Sequence, residues 1–301
     1  MMARKSRLEL DSAIRAHYES GVETDRLLTG TSRLEFYRTK QIISRYLPSK
    51  PAKILDIGGG PGFHARWLAG MGFEVHLVDP VPLHVKQARE ADAQSTRPLA
   101  RISQGDARAL DFPDGYVDAV LMLGPLYHLV EKKDRETALF EAARVLKPQG
   151  VLFAAAVSKF TSALDGSFRG FIQDDRFMKI VERDLKDGQH RNPTNKPEYW
   201  TTAFFHHPDE LYSEIRAARF DRVRIVGVTG FSELLPNFEK LWSNKGSKER
   251  LLTILERIET EPTLLGLSTH LLGVAWKRKR RLGKAGQRKQ QAIPKDQVGA
   301  G

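Results

Sequence analysis

Lys53-Ile54-Leu55-Asp56-Ile57-Gly58-Gly59-Gly60-Pro61-Gly62 is the stretch on which the fold of this chain turns. Five residues with strand character run into a cluster of glycines, and a helical stretch from Phe63 to Met71 follows. A strand, a glycine loop and a helix in that order leave bare backbone where a ligand must come close, because side chains there would collide with it. The nicotinamide fingerprint G-x-G-x-x-G, counted from Gly58, requires glycine at position 63. Phe63 stands there, so a dinucleotide dehydrogenase is excluded at a defined place.

Outward from this loop, short β-rich runs alternate with helical stretches. The runs are Lys53 to Ile57, Glu74 to Val78, Ala100 to Gln104, Asp118 to Leu123 and Gly150 to Val157, with helices expected at Pro82 to Ala93 and Lys132 to Val145. That rhythm is the signature of βαβ units and predicts an α/β, doubly wound, mostly parallel seven-stranded sheet. Runs such as Val120-Leu121-Met122-Leu123 are apolar throughout, as expected of strands covered on both faces. Residues 158–206 break the rhythm, setting Phe160, Phe168, Phe171, Phe177, Tyr199, Trp200, Phe204 and Phe205 among Gly, Pro and Asn, and are read as an aromatic lid over the substrate. The α/β pattern resumes in 207–276 with helix Pro208 to Ala218, strand Val223 to Val228, helix Asn237 to Thr260 and strand Ser268 to Trp276. Residues 1–49, with helices at Leu8 to Tyr18 and Arg33 to Leu47, form a cap ahead of the ligand-binding core at 50–157.

The 301 residues contain no cysteine, which removes disulfides, thiolate metal sites and thiol nucleophiles together. No run approaches the roughly 18 apolar residues of a membrane span, so a cytoplasmic protein without a membrane partner, as monomer or homodimer, is expected. The net charge of +11 is concentrated: residues 277–301 hold nine Lys/Arg against Asp296, which accounts for +8 and leaves +3 for the rest. This tail reads as disordered, either solubilising or a nonspecific contact for a polyanion.

The motif Asp56-x-Gly58-x-Gly60-x-Gly62 resembles the first motif of the class I S-adenosylmethionine-dependent methyltransferases. The resemblance extends in order. Asp79 ends the second run 21 residues after Gly58, where the family's acid accepts both ribose hydroxyls. Gly105-Asp106-Ala107 follows the third run, where the family places an acceptor for the adenine amino group; a plain turn acid is the alternative reading of Asp106. Arg144-Val145-Leu146-Lys147-Pro148-Gln149-Gly150 is similar to a frequent helix-to-strand junction of the superfamily. Gly124-Pro125-Leu126-Tyr127-His128-Leu129, Tyr199 to Pro208 and the segment from His17 to Leu27 resemble a bacterial subgroup of small-molecule methyltransferases. The resemblance implies S-adenosylmethionine as cofactor, bound by Asp56, Gly58, Gly59, Gly60, Gly62, Asp79, Pro80, Asp106, Ala107, Leu123 and Gly124, with Tyr18 and Arg26 closing over it. Arg26 or Arg38 would meet its carboxylate, although an ordinary salt bridge explains either arginine equally well.

A hydroxyl or ammonium acceptor requires a base, and His128, just past the fourth strand, is the candidate. A loop histidine capping the next helix is the competing reading. Tyr127 is placed beside it, against the acceptor or in packing. His206 is weighed as a substrate contact, His207 as a helix-start residue and His64 as packing; adjacent His206 and His207 make a poor metal pair, and no metal is expected. Small-molecule O- or N-methylation leads, with an RNA or protein methyltransferase using the basic tail, and a non-catalytic cofactor-binding protein, as alternatives. Gly124-Pro125-Leu126-Tyr127 echoes the Asn/Asp-Pro-Pro-Tyr motif of adenine methylation but lacks its polar first residue and second proline.

Overall fold

A computed structural model of the protein describes Ile14, Tyr18 and residues 30–194 and 196–279. Arg26, most of the first expected helix and nearly all of the basic tail lie outside the described residues. Among the described residues nine strands are present: β1 (Lys53–Ile57), β2 (Glu74–Asp79), β3 (Arg101–Gln104), β4 (Val117–Met122), β5 (Leu146–Ser158), β6 (Gln189–His190), β7 (Ala203–His206), β8 (Phe220–Gly227) and β9 (His270–Lys277). Ten α-helices lie wholly within the described residues: α1 (Ser32–Tyr46), α2 (Phe63–Gly70), α3 (Pro82–Asp92), α4 (Pro125–His128), α5 (Lys132–Val145), α6 (Thr161–Phe168), α7 (Asp175–Asp187), α8 (Pro208–Ala217), α9 (Phe238–Ser243) and α10 (Lys245–Ile258).

Strands β3-β2-β1-β4-β5 are parallel neighbours, and β9 and then β8 extend the sheet antiparallel beyond β5. These are the seven strands expected. Two more come from the insertion: β7 runs parallel to the last residues of β5, pairing Phe205 with Val157 and His206 with Ser158, and carries β6 antiparallel on its other edge.

Side chains alternate across the sheet with period two, and this parity sorts the core into two layers. Leu55, Val120 and Leu152 face α5 and α8, packing with Leu139 and Ile215. Ile54, Leu121 and Phe153 face the other way, toward Ile42 and Ile43 of α1 and Leu68 of α2. One expected helix divides: Asn244 accepts a hydrogen bond from the Ser247 N–H at 2.9 Å, so a new helix starts there and Asn237 to Thr260 becomes α9 and α10.

The insertion is better built than a loose lid. Phe177, Ile180, Val181 and Tyr199 form their own small core, against which Phe171 and Trp200 pack, while Phe204 and Phe205 are buried in β7. Most of its aromatic residues therefore support the insertion itself. Among the described residues no helix is long and apolar enough to cross a membrane.

Candidate active site

Strand order reverses between β1 and β4, so the loops leaving their carboxyl ends diverge and open a crevice. The glycine loop lines one side. Gly58, Gly60 and Gly62 all have positive φ, at 67°, 56° and 86°, a region where a Cβ is strained. At Gly58 a Cβ would also lie 2.8 Å from the Pro125 ring at the start of α4, which fixes the spacing of the two loops. At Gly59 it would meet the Asp56 carboxylate at 2.7 Å, whereas at Gly60 it would project into the open cleft.

The cleft has a volume of about 380 Å³. Asp56, Gly58, Gly59, Gly60, Asp79, Pro80, Asp106, Ala107, Leu123, Gly124, Tyr127, His128 and Tyr18 all line it, so the structure brings together nearly every residue singled out from the sequence. Gly62 stands just behind, where its Cβ would touch Leu77 and Ala88. His84, Phe36, Glu35 and Thr39 also line the cleft and carried no motif to announce them.

Asp56 is only 1% exposed, and neither carboxylate oxygen accepts a well-formed hydrogen bond. Burial, with the charge of Asp79 adding to it, pushes its pKa up to about 7, and the Ala65 amide offsets only part of this. Asp79, at the tip of β2, is well supplied by contrast. Its Oδ2 accepts the Gly60 N–H at 2.9 Å, while Oδ1 accepts the Val81 N–H at 2.9 Å and has His84 Nδ1 at 3.1 Å. The glycine loop is thus tied to β2 through this one carboxylate. Asp106 is held by Arg108, whose backbone N–H and Nε both donate to Oδ1 and whose Nη2 donates to Oδ2 at 2.8 Å. Arg108 also bridges to Asp134 at 2.7 Å.

At the mouth, Tyr18 sits edge-on to both His84 and His128, with ring centroids 5.2 and 5.1 Å away, and its hydroxyl hydrogen-bonds His128 Nε2. Tyr127 packs against the same imidazole at 4.5 Å. Tyr18, Tyr127 and His128 also line a second cavity of about 560 Å³, walled by α6 and the Trp200–Phe205 segment of the insertion. The two cavities therefore meet at these three side chains.

Two expectations are corrected. Arg38 points away from the cleft: fully buried, it ion-pairs with Glu259, which also takes Arg45. His206 is no substrate contact, because it is buried against Glu214 at 3.2 Å. Burial lowers its pKa despite that carboxylate. Glu214 is in turn held at about 2, its own burial outweighed by His206 and Arg135. His207 caps α8 with Glu210 in a capping box, as its position before Pro208 foretold. His64, which also lines the cleft, packs edge-on to Phe36 at 4.9 Å.

The profile of a methyltransferase domain family matches residues 54–150. The chain is 32% identical over 181 residues to the ubiquinone/menaquinone biosynthesis C-methyltransferase UbiE of Neisseria meningitidis serogroup C, over 58% of this chain and 69% of that one. It is 36% identical over 131 residues to the glycine/sarcosine N-methyltransferase of Parasynechococcus marenigrum, an alignment taking in 42% of this chain and 45% of that protein, so the chain spans under half of that relative's length. A solved methyltransferase dependent on S-adenosylmethionine, from Methanosarcina mazei, shares the fold with a TM-score of 0.54 at 20% identity, covering 79% of this chain and 98% of its own.

The chain belongs to the S-adenosylmethionine-dependent methyltransferases, and S-adenosylmethionine is its cofactor. The residues present fit that molecule: a buried carboxylate, Asp56, has no matching cation among the described residues, and the glycine backbone opens onto the cleft beside it.

Proposed function

We propose that the chain methylates a small-molecule acceptor at oxygen or nitrogen. The observation that carries this reading is the second cavity, which is of small-molecule size and, among the described residues, adjoins the cofactor cleft through Tyr18, Tyr127 and His128. The names of its relatives, a quinone-pathway C-methyltransferase and a glycine/sarcosine N-methyltransferase, support a small acceptor without choosing the atom.

The cleft residues divide the cofactor among them. Asp56 offers its unmatched negative charge to the cationic half of the ligand. Oδ2 of Asp79 has a lone pair to spare for a ribose hydroxyl; a second hydroxyl on the same carboxylate requires His84 to give up its place. Asp106, already committed to Arg108, keeps one free lone pair on Oδ2 for the adenine amino group, while Pro80, Ala107, Leu123 and Gly124 supply the walls. When bound, S-adenosylmethionine supplies a methyl group on a sulfonium, whose sulfur leaves as a neutral thioether and needs no proton. The chain's work is then to position the acceptor, exclude water and remove the acceptor's proton. His128 stands at the junction for that last task, oriented by the Tyr18 hydroxyl and wedged by Tyr127.

Incubating the protein with methyl-labelled S-adenosylmethionine and a metabolite extract, then following the label by mass spectrometry, tests the reading. A labelled small metabolite is expected. Label found solely in RNA or protein would overturn it.

A further inference from the structure

The acceptor cavity has a charge and a surface of its own. Asp165 on α6 and Glu233 both line it, together with Phe168, Trp200 and Phe205. Asp165 is paired at 3.2 Å with Arg169, which lies over the Phe171 ring at 4.4 Å. Glu233 accepts the Thr269 hydroxyl. His270 stands between two carboxylates, with Nδ1 3.7 Å from Glu233 and Nε2 3.6 Å from Glu35, which lines the neighbouring cofactor cleft. Among the described residues that line the cavity, two carboxylates, Asp165 and Glu233, thus face one permanent cation, Arg169, and a histidine. Burial raises the pKa of Asp165, with Glu233 adding to it, although Arg169 and His270 pull it down.

Trp200 adds an independent sign. Its backbone sits at φ 59°, ψ 175°, a conformation almost confined to glycine, and the Asn192 side chain donates to its carbonyl at 2.8 Å to hold it there. Trp200 lines the cavity beside Phe168 and Phe205, its ring braced by Phe177 and His190. Indole faces and carboxylates in one small cavity select for a cation.

We propose that the acceptor is a small amine, positively charged at neutral pH, whose ammonium group is held by Asp165 and Glu233 against the Trp200 indole. This rests on the reading of the second cavity as the acceptor site. In the transfer, one N–H proton of the ammonium passes to His128, and the freed nitrogen lone pair forms the new N–C bond as the C–S bond breaks. The electron pair of that bond stays on sulfur, and the positive charge moves to the methylated nitrogen.

Three probes of equal size separate charge from shape: phenethylamine, 2-phenylethanol and phenylacetate, titrated into full-length protein loaded with S-adenosylhomocysteine. Phenethylamine is expected to bind about tenfold more tightly than the alcohol, as one charge-assisted hydrogen bond implies, and phenylacetate weakest. Asp165→Asn and Glu233→Gln are each expected to erase most of that preference while leaving S-adenosylhomocysteine affinity unchanged, which also shows that the variants fold. Equal binding of amine and alcohol, tighter binding of phenylacetate, or binding of none of the three by loaded protein would overturn the amine. Failure to bind S-adenosylhomocysteine at all would instead overturn the cofactor assignment beneath it.

Discussion

Asp56 holds a carboxylate where water cannot reach it, and its raised pKa has opposite consequences for folding and for binding. Because about 7 lies above its ordinary value of 3.8, the folded protein keeps a proton that the unfolded chain has lost over that interval. Stability therefore falls as pH rises from about 4 to about 7 and levels off above. Asp56→Asn is expected to raise stability at pH 8 by about 2 kcal/mol, the scale of an uncompensated buried polar group, in a thermal melt of the free protein. The same change should weaken S-adenosylmethionine binding by about tenfold or more in calorimetry. If the variant binds normally, Asp56 does not meet the cofactor. His128→Asn carries a different signature: a loss of about 10²-fold or more in kcat, with S-adenosylhomocysteine affinity nearly unchanged. Tyr18→Phe, which keeps the ring and removes the hydroxyl on Nε2, should reproduce part of that loss.

Between elements, Arg135 is the buried tie. Its guanidinium donates to the Leu129 and Val130 carbonyls directly after His128, pairs with Glu214 of α8, and lies 3.6 Å from the centre of the Phe204 ring in β7. Removing it strands Glu214 in the core, so Arg135→Met should cost about 3–5 kcal/mol in chemical denaturation. Glu214 contributes stability above its ordinary carboxylate range, and this is lost as pH falls toward about 2. Within the insertion, Gly166→Ala would set a Cβ 2.2 Å from the Phe177 ring and is expected to loosen α6 from α7 at about 1–3 kcal/mol. These ties were illegible in the sequence, whereas the donor half was legible. Glycine spacing, the acid ending β2 and the Gly105-Asp106 turn are local patterns, and strand runs covered on both faces announce themselves by composition. Arg135 meets Glu214 across 79 positions, and Asp165 meets Glu233 across one cavity because α6 lies against the Ser232–Leu234 turn. Aromatic content could not separate Phe177 and Tyr199, which support the insertion, from Trp200 and Phe168, which line the cavity. Arg38 misled because a buried salt bridge and a ligand contact look the same in sequence.

Across the whole molecule, the basic segment begins later than charge alone suggested. Lys277 closes β9 and donates to the Leu146 carbonyl, and Arg278 donates to the Phe220 and Arg216 carbonyls. Truncation after Lys279 is therefore expected to leave the melting temperature and small-acceptor turnover unchanged, whereas truncation after Trp276 should lower stability. Turnover lost with the shorter cut would show that the tail serves the reaction. The last feature of consequence is the forked end of β5, where β9 takes the long edge and β7 the final two residues. Everything from Lys159 to Thr202 leaves and rejoins the sheet at that fork, without interrupting a strand that shapes the donor cleft. Asp165, Phe168 and Trp200 on the acceptor wall can consequently change together by exchange of one cassette, with both splice points anchored in the same ladder and the methyl-donor cleft left intact.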